Sequence, residues 1–393
     1  MNKKTTRLLG VGRPGHGWVN TPPVRGSTYT FDSIQEWREV RGRRESERVV
    51  SYGARGNDTC HALEDGLIEL EGGHRAFLFP TGQAAVATVL ASLLSPGDHI
   101  LLSDAVYEPV RSFCQNYLRR IGVEVTYYLP CGEDLEDLLQ PNTKVVYVES
   151  PGSSTFDMVD LPSVVKLARQ HGAIVMVDNT WGSGWLYRPL ALGADISMIA
   201  ATKYIGGHSD LMMGAVVANE RLWPLVQRAA IGFGQTVSGD DAFLALRGLR
   251  TLALRLGQHG ANATRIAQWF ETRPEIHRVY FPALASDPNH TLWKRDCTGA
   301  NGLLTVEFQR SVPVSQMEKM IDSLELFGIG ASWGGYESLV LPVDLTKVRT
   351  RQDWHLNGPM MRLHIGLEDP EDLINDLSNA LAHITNFQQL AEE

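Results

Sequence analysis

Lys203 is the residue whose setting most clearly predicts covalent chemistry. It follows an apolar stretch that ends at Ala201, and Gly206 and Gly207 come shortly after it. A lysine among apolar groups has a lowered pKa because desolvation disfavours the ammonium, and the neutral amine can form a Schiff base. A lone lysine is usually a solvated surface charge, but the small residues around Lys203 are unusual for a surface. Lys203 is therefore a candidate nucleophilic amine.

Two further features lie at the carboxyl ends of predicted strands, where open α/β sheets bind ligands. Asp178 ends the apolar run Ile174–Val177, and its carboxylate either caps a turn or binds a protonated ring nitrogen. The segment Phe79–Ala85 runs from a strand through Gly82 into a helix, so backbone N–H groups of the first helical turn can bind a phosphate. Taken alone, this segment favours an ordinary strand–helix turn.

Arg362 is a single arginine inside the apolar stretch Met360–Ile365. Its planar guanidinium suits a bidentate contact with a substrate carboxylate, and the alternative is an internal salt bridge. A phosphate site, an aspartate for a pyridinium, a lysine amine and a carboxylate-binding arginine together fit pyridoxal phosphate (PLP) and an amino-acid substrate. That cofactor pairs a lysine Schiff base with an acidic partner of its ring nitrogen.

The elements that position these residues are short apolar runs alternating with helical patterns. Several runs are apolar on both faces, which is typical of parallel strands covered by helices. The predicted strands are Ala76–Phe79, His99–Leu102, Val123–Tyr128, Lys144–Glu149, Ala173–Asp178 and Asp195–Ala200. The predicted helices between them are Gln83–Leu94, Glu108–Ile121 and Leu161–His171, after a helix from Ala62 that Gly72-Gly73 closes. We expect an α/β domain with a mostly parallel sheet over residues 61–250.

The pattern changes after Asp240 and predicts a smaller α+β domain over residues 251–393. Its predicted elements are a long helical stretch Ala242–Phe270 interrupted by glycines, a strand Leu303–Phe308, a helix Gln316–Phe327, a strand Met361–Ile365 and a helix Pro370–Phe387. Residues 1–60 look irregular and are rich in Gly, Pro and Arg. We expect them to form an arm that contacts a neighbouring subunit.

Composition excludes several classes of protein. The 393 residues carry 36 Lys and Arg against 45 Asp and Glu, a net charge of −9 that argues against nucleic-acid binding. We expect no membrane span, because no apolar run reaches about 18 residues, and no signal peptide.

The 4 cysteines have no CxxC spacing, so we expect a reducing, cytoplasmic location. We expect no metal site, because zinc-ligand spacings are missing. Gly10–Gly15 matches a dinucleotide motif, but no strand precedes it.

The chain resembles the Cys/Met-metabolism family of fold-type I PLP enzymes from about Thr5 to Ile384. Three stretches carry the resemblance: Val177–Thr180, Ala201–Asp210 and Ala331–Leu339. The resemblance implies that Lys203 forms the Schiff base and shuttles a proton, and that Asp178 binds the pyridine nitrogen. It implies a homotetramer built from two dimers. The other roles it implies are phosphate binding by Gly82, Gln83 and Thr202, ring stacking by Tyr107, carboxylate binding by Ser332 and Arg362, and contact of Tyr52 with a neighbouring subunit's phosphate.

Within the family, Ser332–Tyr336 and Glu149–Ser153 resemble the members that catalyse β-elimination. The resemblance therefore implies cleavage of a carbon–sulfur bond, with L-cystathionine the first candidate substrate, to a thiol, pyruvate and ammonia. The alternatives are a lyase for another cysteine S-conjugate, a γ-acting lyase or synthase, and a non-catalytic PLP-binding regulator.

Three positions depart from the family pattern. Ala54 occupies the position of a phosphate-binding arginine, which Arg55 is expected to replace, and Ala200 stands where a serine is common. Ser112 stands where an aspartate reaches the distal end of the substrate, so we expect a weaker preference for cystathionine. Trp333 and Arg55 are expected to bind the distal carboxylate.

Overall fold

A seven-stranded sheet organises the larger part of the chain. The computed structural model describes residues 3–13, 15–351 and 357–392, with Lys347 and residues 385–392 described by backbone alone. The sheet has the order β1-β7-β6-β5-β4-β2-β3. Its strands are β1 (Arg75–Phe79), β2 (His99–Ser103), β3 (Glu124–Tyr128), β4 (Thr143–Glu149), β5 (Ile174–Asp178), β6 (Ile196–Ile199) and β7 (Gly214–Ala218).

The central strands are parallel, as the apolar runs predict. β2 pairs in parallel with β3 and β4, and β5 pairs in parallel with β4 and β6. β7 runs antiparallel to both β6 and β1. Residues on both faces of β4 and β5 are buried in two separate apolar clusters, so helices must cover both sides. The α/β prediction with a mostly parallel sheet is confirmed.

Helices around this sheet begin and end at recognisable caps. The Asn57 side chain accepts hydrogen bonds at the start of α3, and Gly72 ends that helix in a left-handed conformation with φ of 79°. The helix predicted over Glu108–Ile121 is an α-helix only to Phe113, and continues as π-helical and 3-10 turns to Ile121. The helices of this part are α3 (Asp58–Glu71), α4 (Gly82–Leu93), α5 (Glu108–Phe113), α6 (Leu135–Leu138), α7 (Leu161–Gln170), α8 (Trp223–Gly232) and α9 (Gly239–Leu249).

A smaller, five-stranded sheet follows, with the order β10-β11-β12-β9-β8. All of its pairings are antiparallel except β10 with β11. The strands are β8 (Ile276–Tyr280), β9 (Leu303–Phe308), β10 (Gly328–Ile329), β11 (Leu339–Val343) and β12 (Met360–His364). The helices are α10 (Leu252–Phe270), α11 (His290–Asp296), α12 (Val314–Asp322) and α13 (Pro370–Glu392). This confirms the predicted α+β part, although β8, β10 and β11 were not predicted.

The predicted stretch Ala242–Phe270 is two helices, α9 and α10, which meet at Arg250 and Thr251. The glycines expected to interrupt it lie inside the helices, where Gly248 and Gly260 pack closely against other backbone and Gly257 faces open space. A β-carbon on Gly248 would lie 2.2 Å from the Gly206 carbonyl oxygen, in the loop that follows Lys203.

The expectation that residues 1–60 are irregular is wrong in part. They contain α1 (Lys4–Gly10) and α2 (Ile34–Arg43), the latter capped by the Ser33 side chain. The Gly10–Gly15 motif begins at the last residue of α1, and no strand precedes it in the described residues, so the strand that a dinucleotide site needs is missing there. In the described part of the chain, no helix is both long and apolar enough to cross a membrane.

Candidate functional site

Lys203 lies between the two sheets, in the turn that follows β6. Its Nζ donates a hydrogen bond of 2.6 Å to the Ser332 hydroxyl and lies 5.4 Å from the centre of the Trp333 ring. Burial, together with the positive charge of Arg362, lowers the pKa of Lys203 to about 8. The neutral amine is therefore accessible near physiological pH, as a nucleophile or a proton acceptor requires.

The loop that carries Lys203 is fixed by hydrogen bonds on both sides. The Thr180 hydroxyl accepts from the backbone N–H of Ala200 at 2.9 Å. The Thr202 hydroxyl accepts from the N–H of Met213 at 2.9 Å, and donates to the carbonyl of the same residue. The hydroxyl of Thr202, the residue before Lys203, is thus bound to Met213, which directly precedes β7.

Asp178 lies at the carboxyl end of β5, buried, and its Oδ1 accepts from the N–H of Thr180 at 2.9 Å. Burial raises the pKa of its carboxyl group. No cation of the described residues forms an ion pair with it. A buried carboxylate with no counter-charge is suited to bind a cation that enters from outside the chain.

Glu149 is the partner of Asp178 in the register of β4 and β5. Its Oε2 accepts from the N–H of Tyr107 at 2.6 Å, and its Oε1 accepts from the Ser153 hydroxyl. Burial and the charge of Asp178 raise the pKa of Glu149 to about 8. Glu149 thereby holds Tyr107, half of whose surface (51%) is exposed at the start of α5.

The first turn of α4 supplies a candidate phosphate site. Thr81 caps this helix by accepting from the N–H of Ala84, so the N–H groups of Gly82 and Gln83 are left for a ligand. A β-carbon on Gly82 would lie 2.9 Å from the methyl of Ala200, which places this turn directly beside the loop of Lys203. The Gln83 Oε1 is buried and has no hydrogen-bond partner among the described residues.

Arg362 lies on β12 and faces the Ser332 segment. Its Nη2 donates to the Ser332 carbonyl at 3.3 Å. No carboxylate of the described chain pairs with this guanidinium, so the salt-bridge alternative finds no support. Burial lowers its pKa, and the nearby Tyr107 raises it. The free donors of Arg362 are therefore available to an incoming anion.

Three further predicted site residues contact residues outside this group or are largely exposed. Ser112 lies on α5, where its hydroxyl accepts from the Asn116 side chain at 3.1 Å. Tyr52 begins a 3-10 turn and has 53% of its surface exposed. Arg55 donates to the Glu45 carboxylate at 2.9 Å.

His364 is a site-adjacent residue that was not predicted from the sequence. Its ring contacts the backbone of Gly334 and Glu337, two and five residues after Ser332. The sequence did contain an indication that His364 lies near the site, because alternation along a strand puts residue 364 on the same face as Arg362.

The geometry brings together an amine, an unpaired buried carboxylate, helix N–H groups and an unpaired guanidinium. The amine matches the aldehyde of PLP, the carboxylate matches its ring nitrogen, and the helix N–H groups match its phosphate. The guanidinium matches the carboxylate of an amino-acid substrate. The residues present therefore fit this cofactor.

Comparisons with known proteins agree with that fit. Residues 7–382 match the family described as Cys/Met metabolism PLP-dependent enzyme. A cystathionine beta-lyase of Bordetella avium is 45% identical over 92% of each chain. An L-alanine/L-glutamate racemase of Wolbachia pipientis is 37% identical over 97% of this chain and 98% of its own. The crystal structure of metB from Corynebacterium glutamicum has a TM-score of 0.88 and 31% identity, covering 97% of this chain and 98% of its own. The chain belongs to the Cys/Met metabolism family of PLP-dependent enzymes.

Proposed function

We propose that this protein is a carbon–sulfur β-lyase that acts on cysteine thioethers, with L-cystathionine as the first candidate. The observation that carries the proposal is the contact between the Lys203 amine and the Ser332 hydroxyl, directly beside the unpaired guanidinium of Arg362. The contact supports the proposal, because it brings the candidate proton acceptor next to the candidate carboxylate-binding group. The relative named cystathionine beta-lyase supports the choice of substrate.

The cofactor would be held by residues from the ends of several strands. The N–H groups of Gly82 and Gln83 would bind the phosphate, with Thr202 beside them, and Asp178 would bind the protonated ring nitrogen. Tyr107 would stack on the ring, and Lys203 would hold the aldehyde carbon. PLP, when bound, supplies a protonated ring that withdraws electrons from the substrate's α-carbon.

The chain's own residues would then direct elimination. Arg362 and Ser332 bind the substrate α-carboxylate, which orients the α-carbon toward Lys203. The Nζ of Lys203 accepts the α-proton because its pKa of about 8 leaves a neutral fraction near pH 7. The electron pair left at the α-carbon forms a double bond to the β-carbon, and the carbon–sulfur bond breaks with its pair on sulfur. The sulfur leaves as a thiol after it gains a proton, and water converts the remaining fragment to pyruvate and ammonia.

A panel of cysteine and homocysteine thioethers tests the proposal. We expect pyruvate from L-cystathionine and S-methylcysteine, since β-elimination leaves a three-carbon acid. Release of 2-oxobutyrate instead would identify γ-elimination. Bound cofactor without any turnover, seen as a visible absorbance band, would favour the non-catalytic regulator.

A second candidate is amino-acid racemisation, which the 37% identity with the Wolbachia enzyme favours. Both reactions begin with loss of the α-proton to Lys203, and only elimination needs a leaving group on the β-carbon. The two are separated by supplying L-alanine, which has no leaving group. Formation of D-alanine faster than pyruvate from any thioether would favour the racemase.

We also propose that the active unit is a homotetramer, or at least a dimer, in the cytoplasm. The proposal is supported by the arm of residues 1–60, which exposes 82% of Trp18, 71% of Val19 and 53% of Tyr52. Such apolar side chains need a covering surface, and a second copy supplies one. In the same assembly, residues 61–250 would bind the cofactor and residues 251–393 would form a second domain. Light scattering that finds a fully active monomer would contradict this.

A further inference from the structure

His364 is buried on β12, with 1% of its surface exposed, and it binds a single loop at two points. Its Nε2 accepts from the backbone N–H of Gly334 at 3.0 Å, and its Nδ1 lies 3.0 Å from the carbonyl oxygen of Glu337. An amide N–H can only donate and a carbonyl can only accept. The two partners therefore require a neutral imidazole with its hydrogen on Nδ1.

The loop that His364 holds is the 332–337 segment. Gly334 has φ of +90°, and a β-carbon on it would lie 2.8 Å from the carbonyl carbon of Lys203. Ser332 has φ of +98°, which is uncommon for a residue other than glycine. A backbone of this kind persists only where its surroundings hold it in place.

β12 supplies those surroundings from one face. Arg362 and His364 are two residues apart, so their side chains leave the strand on the same side. Arg362 donates to the Ser332 carbonyl, and His364 binds Gly334 and Glu337. The guanidinium of Arg362 and the loop that carries Ser332 are thus both positioned by β12.

We propose that His364 is a positioning residue that holds the 332–337 segment so that the Ser332 hydroxyl meets the Lys203 amine beside Arg362. The imidazole does not reach the reacting groups itself. It acts through Gly334 and Glu337. Without it the segment loses its contacts at the Gly334 N–H and the Glu337 carbonyl, and keeps those made at Ser332, at the Tyr336 carbonyl and by the Glu337 side chain. The inference rests on the proposed function only in taking the bound ligand to be an amino acid.

His259 provides a matched control. Its ring centre lies 5.2 Å from that of His364, and it has 0% of its surface exposed. Its Nδ1 lies 2.8 Å from the carbonyl oxygen of Ile365, outside the 332–337 segment. Removal of either imidazole costs a buried hydrogen bond, but only His364 holds the segment.

The test compares His364→Phe, His364→Gln and His259→Phe in the holoenzyme. Calorimetry measures the Kd of L-alanine, which carries the carboxylate, and of ethylamine, which lacks it. We expect His364→Phe to weaken L-alanine binding about tenfold or more with little change for ethylamine, since a lost positioning hydrogen bond is felt at the carboxylate. His364→Gln should recover part of this affinity, because its amide oxygen can accept from Gly334. His259→Phe should lower Tm without changing the ratio of the two Kd values.

Two results would overturn the proposal. One is an equal ratio of Kd values in all three variants and the wild type, and the other is the same change in His259→Phe. If His364→Phe does not fold, His364→Leu replaces it, because leucine is smaller and has no hydrogen-bonding group, and an unchanged ratio in His364→Leu has the same meaning. Failure of the β-lyase proposal is distinguishable, since it is read from pyruvate release and not from ligand binding.

Discussion

The two sides of the site are built by different means. On the cofactor side, Asp178 ends β5 and is held by strand pairing, and Gly82 begins α4 shortly after β1 ends at Phe79. On the substrate side, Ser332 lies in a loop with positive φ that is held by side chains of β12. The cofactor side is therefore a consequence of the sheet itself, whereas the substrate side depends on a few hydrogen bonds. Substitutions on the two sides should separate cofactor retention from substrate binding.

The largest effect is expected at Lys203, where the two sides meet. Lys203→Ala removes the amine that we propose to hold the cofactor and to accept the α-proton, so turnover should fall at least about a thousandfold. Lys166→Ala, at an exposed position of α7, is the control and should keep wild-type activity. Steady-state pyruvate release measures both variants. Activity of Lys203→Ala within tenfold of the wild type would contradict its role.

Arg362→Gln should weaken substrate binding without changing retention of the cofactor. Loss of a charge-assisted hydrogen bond of about 1.5–3 kcal/mol predicts a KM about 10- to 150-fold higher, with the cofactor's visible band unchanged. An unchanged KM, or loss of the band, would break the distinction between the two sides.

The same substitution should move the pH profile. Arg362 is a cation near Lys203, and its charge lowers the pKa of that amine. Without it the ammonium is favoured, the pKa rises above about 8, and less neutral amine is present at a given pH. The acid limb of kcat should therefore shift to higher pH by up to about one unit. A shift to lower pH would show that the limb belongs to another group.

A pair of glycine substitutions sharpens the comparison between the sides. Gly334→Ala places a methyl at φ of +90° against the backbone of Lys203, so we expect about 1–3 kcal/mol of lost stability and a higher KM. Gly82→Ala places a methyl 2.9 Å from Ala200 at the candidate phosphate site, so we expect weaker cofactor binding with KM unchanged. Titration of the apo-protein with PLP and steady-state kinetics measure the two effects. The same response from both variants would contradict the comparison.

The smallest effect is expected at Ser112, which supplies a neutral hydroxyl where a charge would favour cystathionine's distal ammonium. A charged hydrogen bond exceeds a neutral one by about 1–1.5 kcal/mol before solvent screening. We therefore expect Ser112→Asp to raise kcat/KM for cystathionine several-fold relative to S-methylcysteine. A flat or lower ratio would mean that residue 112 does not face the distal ammonium.

The cofactor side was predictable because its signals are local. The apolar strand before Asp178, the glycine turn at Gly82 and the small residues around Lys203 can each be read within about ten residues. Strand β7 was missed because it is short and built largely of small residues, and its place between β1 and β6 is a tertiary property. Strand β11 contains Pro342, which argues against a strand. The structure accommodates that proline because β10 pairs only with Leu339 and Val340.

The substrate side could be predicted only in part. Ser332 and Arg362 were identified, yet the conformation that joins them is set by contacts between β12 and a distant loop. The positive φ of Ser332 and the hydrogen bond that the Gly334 N–H donates to His364 have no local signal in the residues of the loop. Alternation along β12 was the one available indication, since it puts His364 on the face of Arg362.

The central claim is that Lys203 is the amine that carries the cofactor. Borohydride reduction of the holoenzyme makes the bond between PLP and its lysine permanent, and peptide mapping then locates it. We expect the label on the peptide that contains Lys203, the half-buried lysine whose pKa is lowered to about 8. A label on the exposed Lys144 or Lys166, with Lys203 unmodified, would contradict the account.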